Sequence, residues 1–339
     1  MDKLLSIVIP VYNVEKYIKK CLDSLLVSEN LLDLLDIVIV NDGTQDRSAV
    51  IATTYVERFP QSFRVINQEN GGHGSALNRG IGEAVGKYLA FLDSDDWYNT
   101  DQFEQLICYL NHCDTDLVFI NSTKFYAQEN KEVIVSIINM ETDVVYDADN
   151  YDWMNSGNGP HLTYLTTTVY RTTLMKMYSP VFCEHVMYDD IILQVLPIMA
   201  ADSFIYTNLN VYHYLIGRPG QSFDPIVRAK RFDNVTIVLK QVLSFIKKHR
   251  HEIPVGSTRR AWADDHYSAF CTHHYRELSE LPYALAKERL NNWDRFIKAN
   301  YPDIVLTETV RKYRSLPFIL YFLWFRSGTI YEKIIKHLR

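Results

Sequence analysis

Residues 4–11 (LLSIVIPV) form a short apolar run rich in Ile and Val, the pattern of a strand covered on both faces. The run stops at Tyr12-Asn13. Val14, Tyr17, Ile18, Cys21, Leu22, Leu25 and Leu26 then recur at spacings of three and four, which predicts an amphipathic helix capped by Asn13. The alternation continues. Residues 36–41 (DIVIVN) read as a second buried strand, 48–59 as a helix and 63–67 as a third strand. A glycine-rich turn leads into a helix at 74–85, and 87–92 (KYLAFL) is a fourth strand, followed by a helix at 101–112 and a strand at 117–121. Strands separated by helices of this length predict βαβ units on a parallel sheet, so the expected fold class is α/β.

Right-handed crossovers place the C-terminal ends of parallel strands on one edge of the sheet. Tyr12-Asn13, Asp42 and Asp93–Asp96 each follow a different strand, so they are expected to line one crevice. Several acids and an aromatic there suit a nucleotide held with a metal. They suit a bare phosphate poorly, because carboxylates repel phosphate unless a cation lies between.

Each motif has a plainer reading. Asp93-Ser94-Asp95-Asp96 puts three carboxylates in four residues, which fits Mg²⁺ or Mn²⁺, or an N-cap cluster for the helix near Asn99. Asn41-Asp42-Gly43-Thr44-Gln45-Asp46 is a binding turn or a turn plus cap. Gly71-Gly72-His73-Gly74 invites a phosphate loop, but position 77 is Leu and no GK[ST] follows, so a dinucleotide site is not expected. Tyr188-Asp189-Asp190 precedes an apolar segment and is an acid pair or a helix start. Residues 212–223 (YHYLIGRPGQSF) hold His213, Arg218 and a Pro-Gly turn, either a basic loop that closes over a diphosphate or a surface turn. His266, His273 and His274 lack metal-ligand spacing and read as structural or surface residues.

The 339 residues carry 35 basic and 41 acidic side chains, a net charge of −6, and 47% are hydrophobic. A full core is therefore expected, and a protein that coats nucleic acid is not. Five cysteines without a CxxC pair read as reduced thiols of a cytosolic protein. No signal peptide is expected, because the 4–11 run lacks a small-residue cleavage site. No apolar run approaches the ~20 residues of a membrane span. Charge is uneven: residues 311–339 hold seven basic side chains against Glu332 alone, mixed with Phe318, Tyr321, Phe322, Trp324 and Phe325. Two uses fit this tail: contact with a membrane surface, or a helix that packs its aromatic face on the domain. Residues 226–339 read as mainly helical, with apolar stripes at Ile237, Leu239, Val242, Leu243 and Ile246 and again over 281–297.

Read in order, SIVIPVYN at 6–13, the helix at 15–26, VNDGTQDRS at 40–48, NGGHGSALNRGIGEAVGKYLAFLDSDDW at 70–97 and YDD at 188–190 resemble family 2 glycosyltransferases of the GT-A fold. The likeness covers residues 4–223. The departures are Asn41 where Asp is commoner, Leu77 where Arg is usual, and Asp189 where Glu is usual. The resemblance implies a GT-A domain over 1–225, with 226–339 as a helical extension. It implies transfer of a sugar from a nucleotide diphosphate, most often UDP, to an acceptor hydroxyl with inversion. On that likeness Tyr12 stacks on the base beside Asn13, Asp42 accepts from the base, Asp93 holds the ribose and Asp95 binds Mn²⁺ or Mg²⁺. Asp190 is the catalytic base with Asp189 as fallback. Arg218, and less directly His213, Gln221 and Ser222, cover the diphosphate. The acceptor is a glycan, glycolipid or glycoprotein, and the location cytoplasmic, at the inner face of the cell membrane if the tail meets lipid. The extension builds the acceptor site, a homo-oligomer interface or a membrane platform. A nucleotide-sugar-binding scaffold without turnover and a nucleotidyltransferase are the alternatives, separated by turnover and by a triphosphate requirement.

Overall fold

The structure, a computed structural model, describes residues 2–137, 139–155, 165–218, 232–303 and 307–327. Its strands are β1 (Leu5–Val11), β2 (Leu35–Asp42), β3 (Phe63–Gln68), β4 (Tyr88–Phe91), β5 (Trp97–Tyr98), β6 (Leu117–Tyr126), β7 (Lys131–Val135), β8 (Val145–Asp147), β9 (Thr168–Arg171) and β10 (Ser203–Ile216). The first helices are α1 (Ile18–Asp23), α2 (Glu29–Leu32), α3 (Ser48–Arg58), α4 (His73–Glu83), α5 (Thr100–Leu110), α6 (Thr172–Met177) and α7 (Leu196–Ala200). A helical extension follows: α8 (Phe232–His249), α9 (Thr258–Ser279), α10 (Tyr283–Asn300) and α11 (Glu308–Ser315).

Among the described residues the strands form one mixed, mainly parallel sheet in the order β3-β2-β1-β4-β9-β6-β10-β5, with β7 and β8 paired to β6 and β10. The parallel β1–β4 group follows the predicted alternation. Four strands depart from it: β9 lies antiparallel between β4 and β6, and β5, β7 and β8 pair antiparallel at the margin. Local pattern does not announce β5, β8 and β9, because their partners are distant in sequence, while β7 is a short, mostly exposed strand in a hairpin with β6.

The sheet is buried on both faces, which explains its unbroken apolar strands. Ile7, Ile9, Ile37, Ile39 and Ala90 face one core with α1, α3 and α5. Val8, Val38, Val40, Leu89 and Phe91 face the other, under α4, and this second core continues into the extension through Val238, Leu243, Trp262, Tyr275 and Trp293. Helix α4 lies unusually close to β1: a Cβ on Gly80 would stand 2.1 Å from Val8 Cγ1. That approach delivers the N-terminus of α4 to the C-terminal edge of the sheet.

The predicted helix at 14–26 is shorter than its pattern. Residues 14–17 close a turn through Val14 O and α1 begins at Ile18, so Asn13 does not cap it. His274 is fully buried between Thr236 and Glu277, and His266 stacks on Trp262, both structural as expected. All five cysteines are unpaired thiols. Part of the tail's aromatic set packs inward: Tyr321 is buried and shares a hydrogen bond with Ser279 Oγ, and Phe318 and Phe322 lie on Tyr283. No helix among the described residues is long and apolar enough to cross a membrane. Residues 328–339 and the expected boundary near 225 lie outside the described residues.

Candidate functional site

Register assembles the crevice. Val11 pairs with Asn41, so Tyr12 and Asn13 leave the sheet beside Asp42 and Gly43. Tyr12 is 50% exposed and offers an open aromatic face at the rim. Asn13, at φ 53°, holds the neighbouring turn: its Oδ1 accepts from Gln45 N–H at 2.8 Å and its own N–H donates to Thr44 Oγ1 at 2.8 Å. That bonding replaces the cap role its sequence position suggests. In the same turn Asp46 accepts from the Ser48 hydroxyl and from the N–H groups of Ser48 and Glu15. Burial works against its charge, but these bonds prevail and hold the carboxyl down at about 2.

Asp42 is 2% exposed and faces Gln68 across β2 and β3. Its carboxylate accepts from Gln68 Nε2 at 2.8 Å, Gly71 N–H at 2.8 Å and Gly72 N–H at 2.9 Å. A carboxylate offers about four acceptor positions, so roughly one is left for a ligand. The glycine-rich segment is therefore folded around a carboxylate. Two amides that a phosphate loop would need are already engaged.

The acids after β4 diverge. Asp96 is 1% exposed and faces inward, accepting from the Tyr212 hydroxyl at 2.7 Å and Leu215 N–H at 2.8 Å. Burial, and then Asp95 and Asp93, push its carboxyl well above the usual range. It anchors β10. Asp95 and Asp93 face the crevice. Burial and the neighbouring Asp93 raise the Asp95 carboxyl, while an ion pair with Arg218 Nε opposes the rise. Asp93 Oδ1 lies 3.1 Å from His73 Nε2.

A distant segment closes the site. Asn78 of α4 clamps it: Asn78 Oδ1 accepts from Val181 and Phe182 N–H at 2.8 and 2.9 Å, and its Nδ2 donates to Phe182 O. His185 N–H donates to Gly71 O at 2.8 Å. Gly74 permits the approach, since a Cβ there would lie 2.2 Å from Cys183 O and 2.9 Å from Asp189 Oδ2. Asp189 opens a short 3₁₀ turn, Asp189–Gln194, and is 3% exposed, with Oδ2 at 3.0 Å from His73 Nδ1. Asp190 stays partly exposed. Its burial, then the Asp189 charge, push its carboxyl up to about 6 against the opposing pull of His73.

The structure thus brings Asp42, Asp93, Asp95, Asp189, Asp190 and Arg218 to one sheet edge. His213 is instead buried within β10 and stacked on Trp97, with rings 5.5 Å apart. Gln221 and Ser222 lie outside the described residues. Sequence reasoning did not pick out Asn78 and His73 as site residues. Both lie in quoted motifs, but their partners are more than 100 positions away for Asn78 and 116 away for the His73–Asp189 contact.

No group of three or more His, Cys, Asp or Glu side chains among the described residues forms a protein metal cage. The donor set fits a hard divalent cation that uses few carboxylates and takes its remaining oxygens from water and a substrate diphosphate. Asp95 already attracts a positive charge, from Arg218.

The sequence model described as glycosyl transferase family 2 matches residues 6–175. The uncharacterized glycosyltransferase EpsJ of Bacillus subtilis is 47% identical over 106 residues, 31% of this chain and 30% of that protein, so the chain matches about a third of its length. The uncharacterized glycosyltransferase YibD of Escherichia coli is 30% identical over 216 residues, 62% of this chain and 61% of that one. Among solved structures, Staphylococcus aureus TarS 1–349 in complex with UDP-GlcNAc superposes with a TM-score of 0.61 at 20% identity, covering 80% of this chain and 72% of that 1–349 chain. The likeness to TarS is one of fold and bears out the expected GT-A class, a mainly parallel sheet with flanking helices.

Proposed function

The chain belongs to glycosyl transferase family 2, and from that premise we propose that it moves a sugar from a nucleotide-diphosphate donor, a UDP-sugar, to a hydroxyl of a glycan, glycolipid or glycoprotein, with inversion at the anomeric carbon. One observation carries the reading: donor-side acids from the ends of β2 and β4 share a crevice with the partly exposed, weakly acidic Asp190.

In this mechanism Tyr12 stacks on the base, beside Asn13, and the remaining acceptor position of Asp42 takes the ring N–H. Asp93 holds the ribose. Asp190 removes the acceptor proton as the acceptor oxygen bonds to the anomeric carbon and the bond to the diphosphate breaks on the opposite face. The bond's electron pair leaves on the diphosphate oxygen, and a single displacement inverts the centre. Arg218, released from Asp95, supports that developing charge. Asp95 would hold Mg²⁺ or Mn²⁺, whose chemistry when bound is to neutralise the leaving diphosphate. Residues 1–225 carry this chemistry and 226–339 frame the acceptor side.

The test is a thermal-shift panel of UDP, GDP, CDP, TDP and UDP-sugars, each with and without Mn²⁺, followed by a transfer assay on the best donor. A UDP-family ligand at a hundred times its Kd is expected to stabilise the fold by about 2.7 kcal/mol, more strongly with Mn²⁺. Binding without turnover would favour a scaffold subunit. Absence of any shift would reject the donor site.

The tail is proposed to rest on an anionic lipid surface. What supports this is the outer face of the helix at 318–327, where Ile319, Leu320 and Leu323 are each more than half exposed on a segment of net positive charge. Changing these three to Ser leaves Tyr321 and its bond to Ser279 in place. The variant is expected to lose sedimentation with anionic vesicles at unchanged Tm. Undiminished sedimentation rejects the contact.

A further inference from the structure

His73 occupies the first position of α4 and faces two carboxylates that belong to opposite sides of the crevice. Its Nε2 is 3.1 Å from Asp93 Oδ1 and its Nδ1 is 3.0 Å from Asp189 Oδ2. An ionised carboxylate only accepts hydrogen bonds, and a neutral imidazole has one N–H. Both contacts are satisfied together only by an imidazolium. Burial alone would drive the proton off, but Asp189 and then Asp93 outweigh it and hold the ring's proton well above the ordinary imidazole range.

Three ties hold the 181–190 segment to the start of α4: Asn78 with Val181 and Phe182, His185 with Gly71, and His73 with Asp189. The first two shape the backbone. The third carries charge, and its other end lies among the donor-side acids. Resting on the glycosyl-transfer reading above, we propose that His73 is a positioning residue that locks Asp189 in place, thereby aiming Asp190 at the acceptor hydroxyl, and links that aim to the donor side through Asp93.

Among the described residues, the charges of Asp189, Asp93 and His73 act on Asp190, and Asp190 in turn acts on the phenols of Tyr170 and Tyr214. Of the charged ones, His73 is the cation that favours ionised Asp190, while Asp189 and Asp93 oppose it. Removing His73 therefore moves the acid limb of the rate to higher pH. It also loosens the turn on which Asp190 stands.

The experiment uses the full chain. In ¹⁵N-histidine NMR of the ligand-free protein, both nitrogens of His73 should keep the protonated signature well above the pH at which an ordinary imidazole loses its proton. His73→Ala should lower kcat about 10²-fold, the scale of a catalytic group misplaced by an ångström, with a smaller rise in donor KM because Asp93 also loses a partner. Its acid limb should rise by about one pH unit. His73→Asn places an amide where Nδ1 donates to Asp189 and should recover part of kcat. His73→Gln, which reaches only towards Asp93, should not. Combining His73→Ala with Asp189→Ala should cost no more than the worse single change, because both act through one contact.

An ordinary imidazole titration, an unmoved acid limb, or a loss confined to KM would overturn the role. If His73→Ala does not fold, the Asn and Gln variants and the wild-type spectrum still decide it. Wild-type turnover with an unbridged His73 removes this role alone. A bridged His73 in a chain that never transfers sugar removes the transfer reading, and this role with it.

Discussion

Asp190→Asn is expected to lower the rate of sugar transfer by about 10²–10⁴-fold, the usual contribution of a general base, while the thermal shift produced by donor stays as in the wild type. The amide keeps the size of the side chain and cannot take a proton. The surroundings of Asp190 suit the proposed role of base: burial and the neighbouring Asp189 raise its carboxyl to about 6, close to neutral pH. The sign of the pH dependence follows. The base acts ionised, so kcat/KM should rise with pH through about 6, the value its environment sets, and flatten above it. The same shift has a cost in stability. The folded chain keeps this proton up to about 6 where the unfolded chain releases it near 3.8, so the stability this group contributes is present below the lower value and lost as pH rises through the higher. An Asp190→Asn enzyme within a few-fold of wild type, or a wild-type limb near 4, would remove Asp190 from the role and turn attention to Asp189.

Asp42→Ala should destabilise the ligand-free protein by about 3 kcal/mol, because three donors lose a buried acceptor, and lower Tm by about 4 °C for a chain of this size. Gly71 N–H, Gly72 N–H and Gln68 Nε2 all lean on this carboxylate. Asp42→Asn should recover little of the loss, since its amide group would meet the N–H of Gly71 or Gly72 donor to donor. Donor binding should fall in both variants. The loss measured without nucleotide reports the frame of the glycine-rich turn, and the further loss on adding nucleotide reports the contact with the base. A normal Tm with weakened binding would make Asp42 a pure ligand residue and contradict the geometry of the turn.

These two residues show how far local pattern reaches. The apolar strands, the helices between them and the acids at strand ends were legible, because side-chain burial repeats with the period of the backbone and parallel crossovers share one hand. From that came the crevice with Tyr12, Asp42, Asp93 and Asp95. The motif order added Asp189 and Asp190, whose place against the sheet no spacing reveals.

Local sequence pattern carried the α/β class and the sheet edge at which Asp42, Asp93 and Asp95 gather. The folded chain set what each acid bonds to. It turned Asp96 inward to β10, committed most of Asp42 to the glycine-rich turn and joined Asp95 to Arg218. It also set His73 between Asp93 and Asp189, and placed β9 antiparallel within the sheet. The physical reason is range. Periodicity and turn chemistry act over a few residues, whereas the charge and proton of a buried carboxyl depend on partners brought across more than 100 positions of chain, such as Tyr212 on Asp96.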